Sequence, residues 1–528
     1  MIVTVGTPPQ PQVVILDTGS ADLYFDSANS ATCQTTGEYS CRGGSFSSND
    51  SSTYEVVDPS PAFNTSFADG STAVGPFAKD TVGIGDVRIE NVQFGLGEEL
   101  DITTGYAVGL MGLGYSYIEA SYSTYPNIPE VLQSTGVINS RLYSVYLNDL
   151  SDISGTILFG GIDPSKYTGD LTTLNILPDI ISGGISMFVT TVTDLSITED
   201  GETYNLFSGG SPGIDAYDSY DDALPVLLDT GAAAWSVPIS YYTTYIMPFF
   251  RFVDDYGLCG CSHRDDDLHL TLTFGGLIPI RVPIADLLVP IYNATTRAPI
   301  PYNEDEDTCA LLIVPAEPTG YGFQTLGDAI LRSMYVVFDL DNGQLSVAQA
   351  AEDNDASAGA GRSNPIPVPR GPDGIASALS SAAAEADYVG AVSTQSYSIA
   401  PPVTVASETG DLSATTASST IGTATGTKAV PAGARVSDDG IAGGEGGIDE
   451  GNQGSGGYDG DGDGVDDEGD GDAGSSSSST SSTGDSSSTS SGAAAAVKGT
   501  GTVGSDWRDW WVPGIFVLGV GVGMGILI

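Results

Sequence analysis

The sequence has 528 residues and a formal net charge of −52, from 68 Asp and Glu against 16 Lys and Arg. This acidic excess leaves no basic surface to neutralise phosphates, which excludes a nucleic-acid partner. The 2 His, His263 and His269, share one Arg/Asp-rich stretch read as a loop, so Ser/His/Asp catalysis, Cys/His catalysis and a zinc hydrolase centre all lack their usual groups, and chemistry resting on carboxylates remains.

Up to about Ala350 the chain is a dense mix of Val, Ile, Leu, Phe and Tyr with Gly and Asn turns, long enough for one or two large cores. Apolar runs at 13–16, 156–159, 226–228 and 335–338 are bounded by Gly, Pro, Asp or Asn and read as strands. Helices are few and short, 129–133 being one, so the fold class is mostly β. The sequence also echoes itself. Val14-Ile15-Leu16-Asp17-Thr18-Gly19 returns 212 positions later as Val226-Leu227-Leu228-Asp229-Thr230-Gly231. Leu110-Met111-Gly112-Leu113-Gly114 is echoed by Gln324-Thr325-Leu326-Gly327-Asp328. Such a long period indicates a duplicated lobe, with one lobe over 1–170 and a second over 171–350.

Residues 351–498 form a low-complexity Ser/Thr/Gly/Asp spacer that cannot bury enough apolar surface to fold. Its stretch 445–472 contains no Lys or Arg, and 475–491 is nearly all Ser and Thr, a composition open to O-linked sugars. Asp459, Asp461, Asp463, Gly464, Asp467 and Asp470 have the spacing of a calcium loop. A Gly/Asp run without flanking helices generates that spacing by composition, so it is read as solvated spacer, and no metal or cofactor is expected. Residues 499–528 end in an uncharged apolar tail, preceded by small residues at 492–496 and a polar stretch at 497–509. That order is a GPI-attachment signal. A simple C-terminal anchor is the other reading, disfavoured by the Gly-rich tail and the lack of basic residues behind it.

Asp17 and Asp229 are the candidate catalytic residues. An apolar strand delivers each to a buried turn, where Gly19 and Gly231 allow a tight backbone and offer N–H donors. Two facing carboxylates cannot both ionise easily, so they share a proton. The ionised one takes a proton from water and the protonated one donates to a substrate carbonyl. Ser20 can donate to Asp17, whereas Ala232 offers nothing to Asp229, which should therefore hold its proton more tightly.

Val5-Gly6-Thr7-Pro8-Pro9-Gln10, Asp17-Thr18-Gly19-Ser20-Ala21-Asp22-Leu23, Ser51-Ser52-Thr53-Tyr54, Asp69-Gly70-Ser71, Gly112-Leu113-Gly114, Asp229-Thr230-Gly231 and Leu326-Gly327-Asp328 occur in that order. Over residues 2–350 the chain resembles the pepsin-like aspartic protease family. The resemblance implies a bilobal acid protease fold with the cleft between the lobes, endopeptidase activity on protein or peptide substrates, no cofactor and a monomer. It implies that Thr18 and Thr230 hydrogen-bond across the lobe boundary, that Phe67, Asp69, Gly70 and Ser71 belong to a flap over the cleft, and that Cys33 bridges Cys41 and Cys261 bridges Cys309. The alternative partner Cys259 stays open. Phe67 and Tyr24 stand where the family usually has Tyr and Trp.

Tyr125-Pro126-Asn127-Ile128-Pro129, Leu158-Phe159-Gly160-Gly161-Ile162-Asp163, Tyr167-Thr168-Gly169-Asp170-Leu171 and the tail are most similar to fungal GPI-anchored, yapsin-type members. This implies cleavage after Lys or Arg on the outer face of the plasma membrane or in the cell wall. Asp69 would face the basic side chain, helped by the acidic run 215–222; its other reading is a turn residue beside Gly70. Asn49, Asn64 and Asn293 open glycosylation sequons. The family's signal peptide, pro-segment and first strand would precede Met1, so the sequence is read as shortened at its N-terminus. The alternative function is a catalytically impaired surface or wall protein with an adhesive or structural role.

Overall fold

The apolar run before Asp17 forms the strand Gln10–Asp17, and the run before Asp229 forms Leu224–Leu228. Each is flanked in parallel by the second echo: Gly109–Gly112 pairs so that Gly112 faces Asp17, and Gln324–Leu326 pairs so that Leu326 faces Leu228. The two echoes are therefore halves of one unit, a parallel strand pair that carries an Asp at its carboxyl end. Strands buried on both faces read as continuous apolar runs, and Leu224–Leu228 is buried at every position.

The computed structural model describes residues 1–351 except 36–39, 58–62, 103–105, 122, 149, 151–154, 179–183, 209–223, 294–297 and 317–322, together with 365–371 and scattered residues beyond. In the first half, one sheet runs from Ile2–Val5 through Gln10–Asp17, Gly109–Gly112, Leu23–Asp26, Val87–Gly97 and Phe77–Ile84 to Glu55–Val56. Ile2–Val5 also pairs with Phe77–Ile84, which closes six of these strands into a ring and leaves the short strand Glu55–Val56 beside it. Phe25 and Phe46 each pack edge-on against Phe94 in its core. In the second half, Ile278–Pro283, Leu268–Phe274, Val189–Glu199, Leu224–Leu228 and Gln324–Leu326 lie side by side.

A third sheet joins the halves. Leu142–Tyr146 pairs antiparallel with Met334–Asp339, which pairs with Gln344–Ala350 and, through it, Tyr167–Asn175. Phe188 packs against Tyr115, Tyr143 and Phe338, so both halves share one core. The mostly β expectation holds, and the expected helix is Ile128–Ser134, started by an Asn127–Glu130 capping box. The histidines do not share a loop: His263 lies in the short helix Cys261–Asp265 and His269 in the strand Leu268–Phe274. Backbone pairing claims the alternating apolar run around His269.

Cys33 is bonded to Cys41, and Cys261 to Cys309. Cys259 faces Cys309 across the strand pair but remains a buried thiol, pushed up to about 12 chiefly by burial. The chain turns into a helix at Cys261, which brings that residue's Cα to 5.0 Å from Cys309. The acidic run 215–222, the calcium-like run 459–470, the Ser/Thr stretch 475–491 and residues 492–510 lie outside the described residues. In the tail, the backbone forms the paired strands Trp511–Val512, Ile515–Leu518 and Gly525–Leu527. Among the described residues no helix is long and apolar enough to cross a membrane.

Candidate active site

The two Asp-Thr-Gly turns meet where the lobes adjoin. Thr18 N donates to Thr230 Oγ1 at 3.2 Å, and Thr230 N donates to Thr18 Oγ1 at 3.0 Å. Each hydroxyl passes its own proton across the boundary, Thr18 Oγ1 to Leu228 O and Thr230 Oγ1 to Leu16 O, both at 2.8 Å. Four bonds from two side chains fix the turns in one register, and three of them are fully buried, where water competes little.

That clasp sets the carboxylates against each other. Asp17 Oδ1 accepts from Gly19 N at 2.7 Å and Oδ2 from Ser20 Oγ at 2.5 Å, while Asp229 Oδ1 accepts from Gly231 N at 2.8 Å. The expected asymmetry is present: Asp17 has a hydroxyl donor that Asp229 lacks. Burial, the Asp17 charge and a hydrogen bond with Asp17 push the Asp229 carboxyl well above its ordinary range. A carboxyl raised in this way favours its protonated form, so the two facing groups can share a proton between them. Such an arrangement contains an acid and a base at adjacent positions.

Residues 1–350 match the family model described as eukaryotic aspartyl protease. The chain belongs to that family. It is 35% identical over 373 residues to the probable aspartic-type endopeptidase opsB of Aspergillus fumigatus, covering 68% of this chain and 70% of that protein. It is 30% identical over 363 residues to the aspartic proteinase yapsin-3 of Saccharomyces cerevisiae, covering 66% of this chain and 65% of that one. It is 32% identical over 354 residues to secreted aspartic protease 8 of Candida albicans, covering 66% and 74%. The family assignment makes the chain an aspartic endopeptidase acting on peptide bonds.

In this aspartyl protease the hairpin of Phe63–Ser66 and Thr72–Gly75 carries Phe67, Asp69, Gly70 and Ser71 at its tip. Gly70 has a φ of 84°, a value that favours glycine. The Asp69 carboxylate is buried and caps the turn: Oδ1 accepts from Ser71 N at 2.8 Å and Oδ2 from Ser71 Oγ at 2.6 Å. The turn reading of Asp69 is therefore realised. Phe67 lies 6.0 Å, centroid to centroid, from Tyr24, whose hydroxyl donates to Val108 O at 3.1 Å. Exchange of both aromatic partners strands no buried hydroxyl, and the flap rests on apolar contact. Asn49 and Asn64 are exposed and Asn293 is half-buried.

Sequence reasoning missed three buried acids around the dyad. Asp328 opens the short helix Asp328–Leu331, docked through its N–H on Ala232 O at 2.9 Å, and is fully buried, with neither oxygen paired among the described residues. Burial raises it well above its ordinary range, and its charge also raises Asp229. Asp22, five residues past Asp17, accepts from Tyr125 Oη at 2.6 Å and Ala120 N at 2.7 Å. Glu119 accepts from Tyr125 N at 2.8 Å. The motifs hold Asp22 and Asp328 as letters, but their burial depends on packing between distant segments.

Proposed function

We propose that Asp17 and Asp229 are the catalytic pair, cutting peptide bonds at the cell surface with a preference for Lys or Arg before the scissile bond. The cross-lobe clasp that presses Asp229 against Asp17 carries the catalytic part of this reading. Asp17 takes a proton from a water lying between the carboxylates as that water attacks the carbonyl. Asp229 gives its proton to the carbonyl oxygen; the intermediate then collapses as Asp17 passes the proton it took to the leaving amine and a hydroxyl of the intermediate returns a proton to Asp229. Thr18, Thr230, Gly19, Gly231 and Ser20 position the pair, and the flap holds the substrate over it. An acidic protein attracts basic substrates, and Asp69 supplies a negative charge at the flap. The surface location is supported by the terminal attachment pattern and by similarity to relatives named as a yapsin and a secreted protease.

Asp17→Asn and Asp229→Asn test the pair. Both should abolish hydrolysis of a peptide while melting like the parent protein, and a statine-type inhibitor should block the parent. Retained turnover in Asp17→Asn removes the reading. On cells displaying the protein, phosphatidylinositol-specific phospholipase C should release the activity into the medium; activity that stays on the cells removes the anchor.

A further inference from the structure

The sheet that joins the halves is apolar on both faces. In Met334–Asp339, Val336 and Phe338 enter the shared core, while Tyr335 and Val337 belong to a second cluster on the other face. In Leu142–Tyr146, Tyr143 and Val145 enter the core, while Leu142 and Tyr146 join that second cluster. With Ile162 and Tyr167 they form an apolar surface, and all six residues are buried. Two residues packed into it come from beyond the family match, which ends at 350. Val368 is 2% exposed and Ile375 6%, and both belong to this cluster. Composition assigns them to the spacer, because two aliphatic residues among Pro, Gly and Asp raise no core signal.

The segment that carries them is shaped for docking. Pro365, Pro367 and Pro369 alternate with Ile366 and Val368. Proline fixes its own φ, so the backbone is restricted before it docks and has less freedom to lose. Ile366–Pro367 pairs antiparallel with Gly161–Ile162, and Val368 N donates to Gly160 O at 2.9 Å. The body leaves room for this approach: a Cβ on Gly161 would fall 2.9 Å from Ile366 O. Further on, Gly371 O accepts from Asn342 Nδ2 at 3.4 Å. Leu379–Ser381 then lies parallel to Leu171–Thr173 at the edge of the same sheet.

We propose that this second face is a docking surface for the chain's own segment 365–375, and that the docked segment straps together strands from both halves. It meets Gly160, Gly161 and Ile162 from the first half and Asn342 from the second. The catalytic body therefore extends past its family match, and the spacer begins only after the strap. Lifting the strap uncovers a contiguous apolar patch on the one sheet that both halves build.

Hydrogen exchange on the full chain, read peptide by peptide by mass spectrometry and corrected for intrinsic rates, tests this. Segment 365–375 should exchange at least about tenfold more slowly than the Ser/Thr stretch 475–491, because the burial of two aliphatic side chains must be undone before its amides open. Val368→Asp/Ile375→Asp should remove that protection and speed exchange in 142–146 and 335–337 as well, while the flap hairpin 63–75 keeps its parental rate. Should the double variant fail to fold, Gly161→Ala, which crowds Ile366 from the sheet side, is read in the same way. Parental exchange in 365–375 as fast as in 475–491 overturns the docking, as does protection that survives the double variant. Loss of the segment's protection with no change in 142–146 and 335–337 overturns the strap. An equal rise in the flap hairpin, the sign of a general loss of stability, overturns it too.

Discussion

Gly231 and Asp17 belong to opposite lobes, yet a Cβ on Gly231 would fall 2.4 Å from Asp17 Oδ1. The reverse contact is as close, with a Cβ on Gly19 falling 2.6 Å from Asp229 Oδ2. Close approach, not backbone torsion, is what requires glycine here. Gly231→Ala must therefore separate the carboxylates or twist one aside. A misplacement of 1 Å at a reacting centre costs about 100-fold, so kcat/KM on a peptide should fall by that order, with a stability loss of about 1–3 kcal/mol from overpacking. Kinetics and thermal melting on the same sample check both. Parental turnover would mean that the turns yield without disturbing the pair.

Ser20 stands three residues after Asp17 and donates to it; Ala232 stands three residues after Asp229 and has no donor to offer. Ala232→Thr should supply one to the ionised form of Asp229, which is now held well above its ordinary range. A donor to the carboxylate favours ionisation, so the dyad gives up its shared proton at lower pH. The alkaline limb of the kcat/KM profile should move to lower pH while the acid limb stays in place. Ala232→Val, of similar shape without the hydroxyl, should leave the limb unmoved. A profile unchanged by threonine would count against the asymmetry.

Asp69 combines a turn and a charge, and one substitution separates them. In Asp69→Asn the amide oxygen still accepts from Ser71 N, and the amide nitrogen can donate to Ser71 Oγ, which accepts as readily as it donates. The hairpin stays and the charge goes. For a peptide with Lys before the scissile bond, kcat/KM should fall about tenfold, equivalent to about 1.4 kcal/mol of lost charge interaction. The matching Leu peptide should be little affected. Equal losses on both peptides would leave Asp69 as a turn residue alone.

Much of this was legible because the chemistry repeats. Two Asp-Thr-Gly triplets behind apolar runs pointed to the candidate site, and the apolar runs at 156–159 and 335–338 became strands Thr156–Phe159 and Met334–Asp339. The echoes themselves were visible, but not that each Asp strand and its partner lie in parallel contact, because pairing across about a hundred residues leaves no local signal. The same holds for the closure of Ile2–Val5 on Phe77–Ile84. Burial of Asp22, Asp26, Glu119 and Asp328 was hidden for a different reason: an acid in a turn-rich sequence reads as solvated until packing covers it. Cys259 was undecidable because the register sets it opposite Cys309, and only the turn at Cys261 decides the bond.

Those hidden acids make stability depend on pH in a direction opposite to that of a salt-bridged protein. Burial lifts Asp22 from 3.8 to about 6, against the opposing bonds from Tyr125 and Ala120. A folded value above the unfolded one means that the native state keeps a proton the unfolded chain has released. The contribution is full below the unfolded value and is lost as pH rises through about 6. For this fully buried group, a gap of about two units is worth about 3 kcal/mol. Glu119 is raised chiefly by burial and then by the Asp22 charge, and acts in the same direction. The melting temperature should therefore fall steadily from about pH 4 towards neutrality, measured at constant ionic strength. Asp22→Asn removes the titration. Its absolute stability can drop, because the amide must turn its oxygen to one of two donors, but the slope of melting temperature against pH should become shallower between about pH 4 and 6. A slope as steep as that of the parent protein would show that Asp22 does not govern this loss.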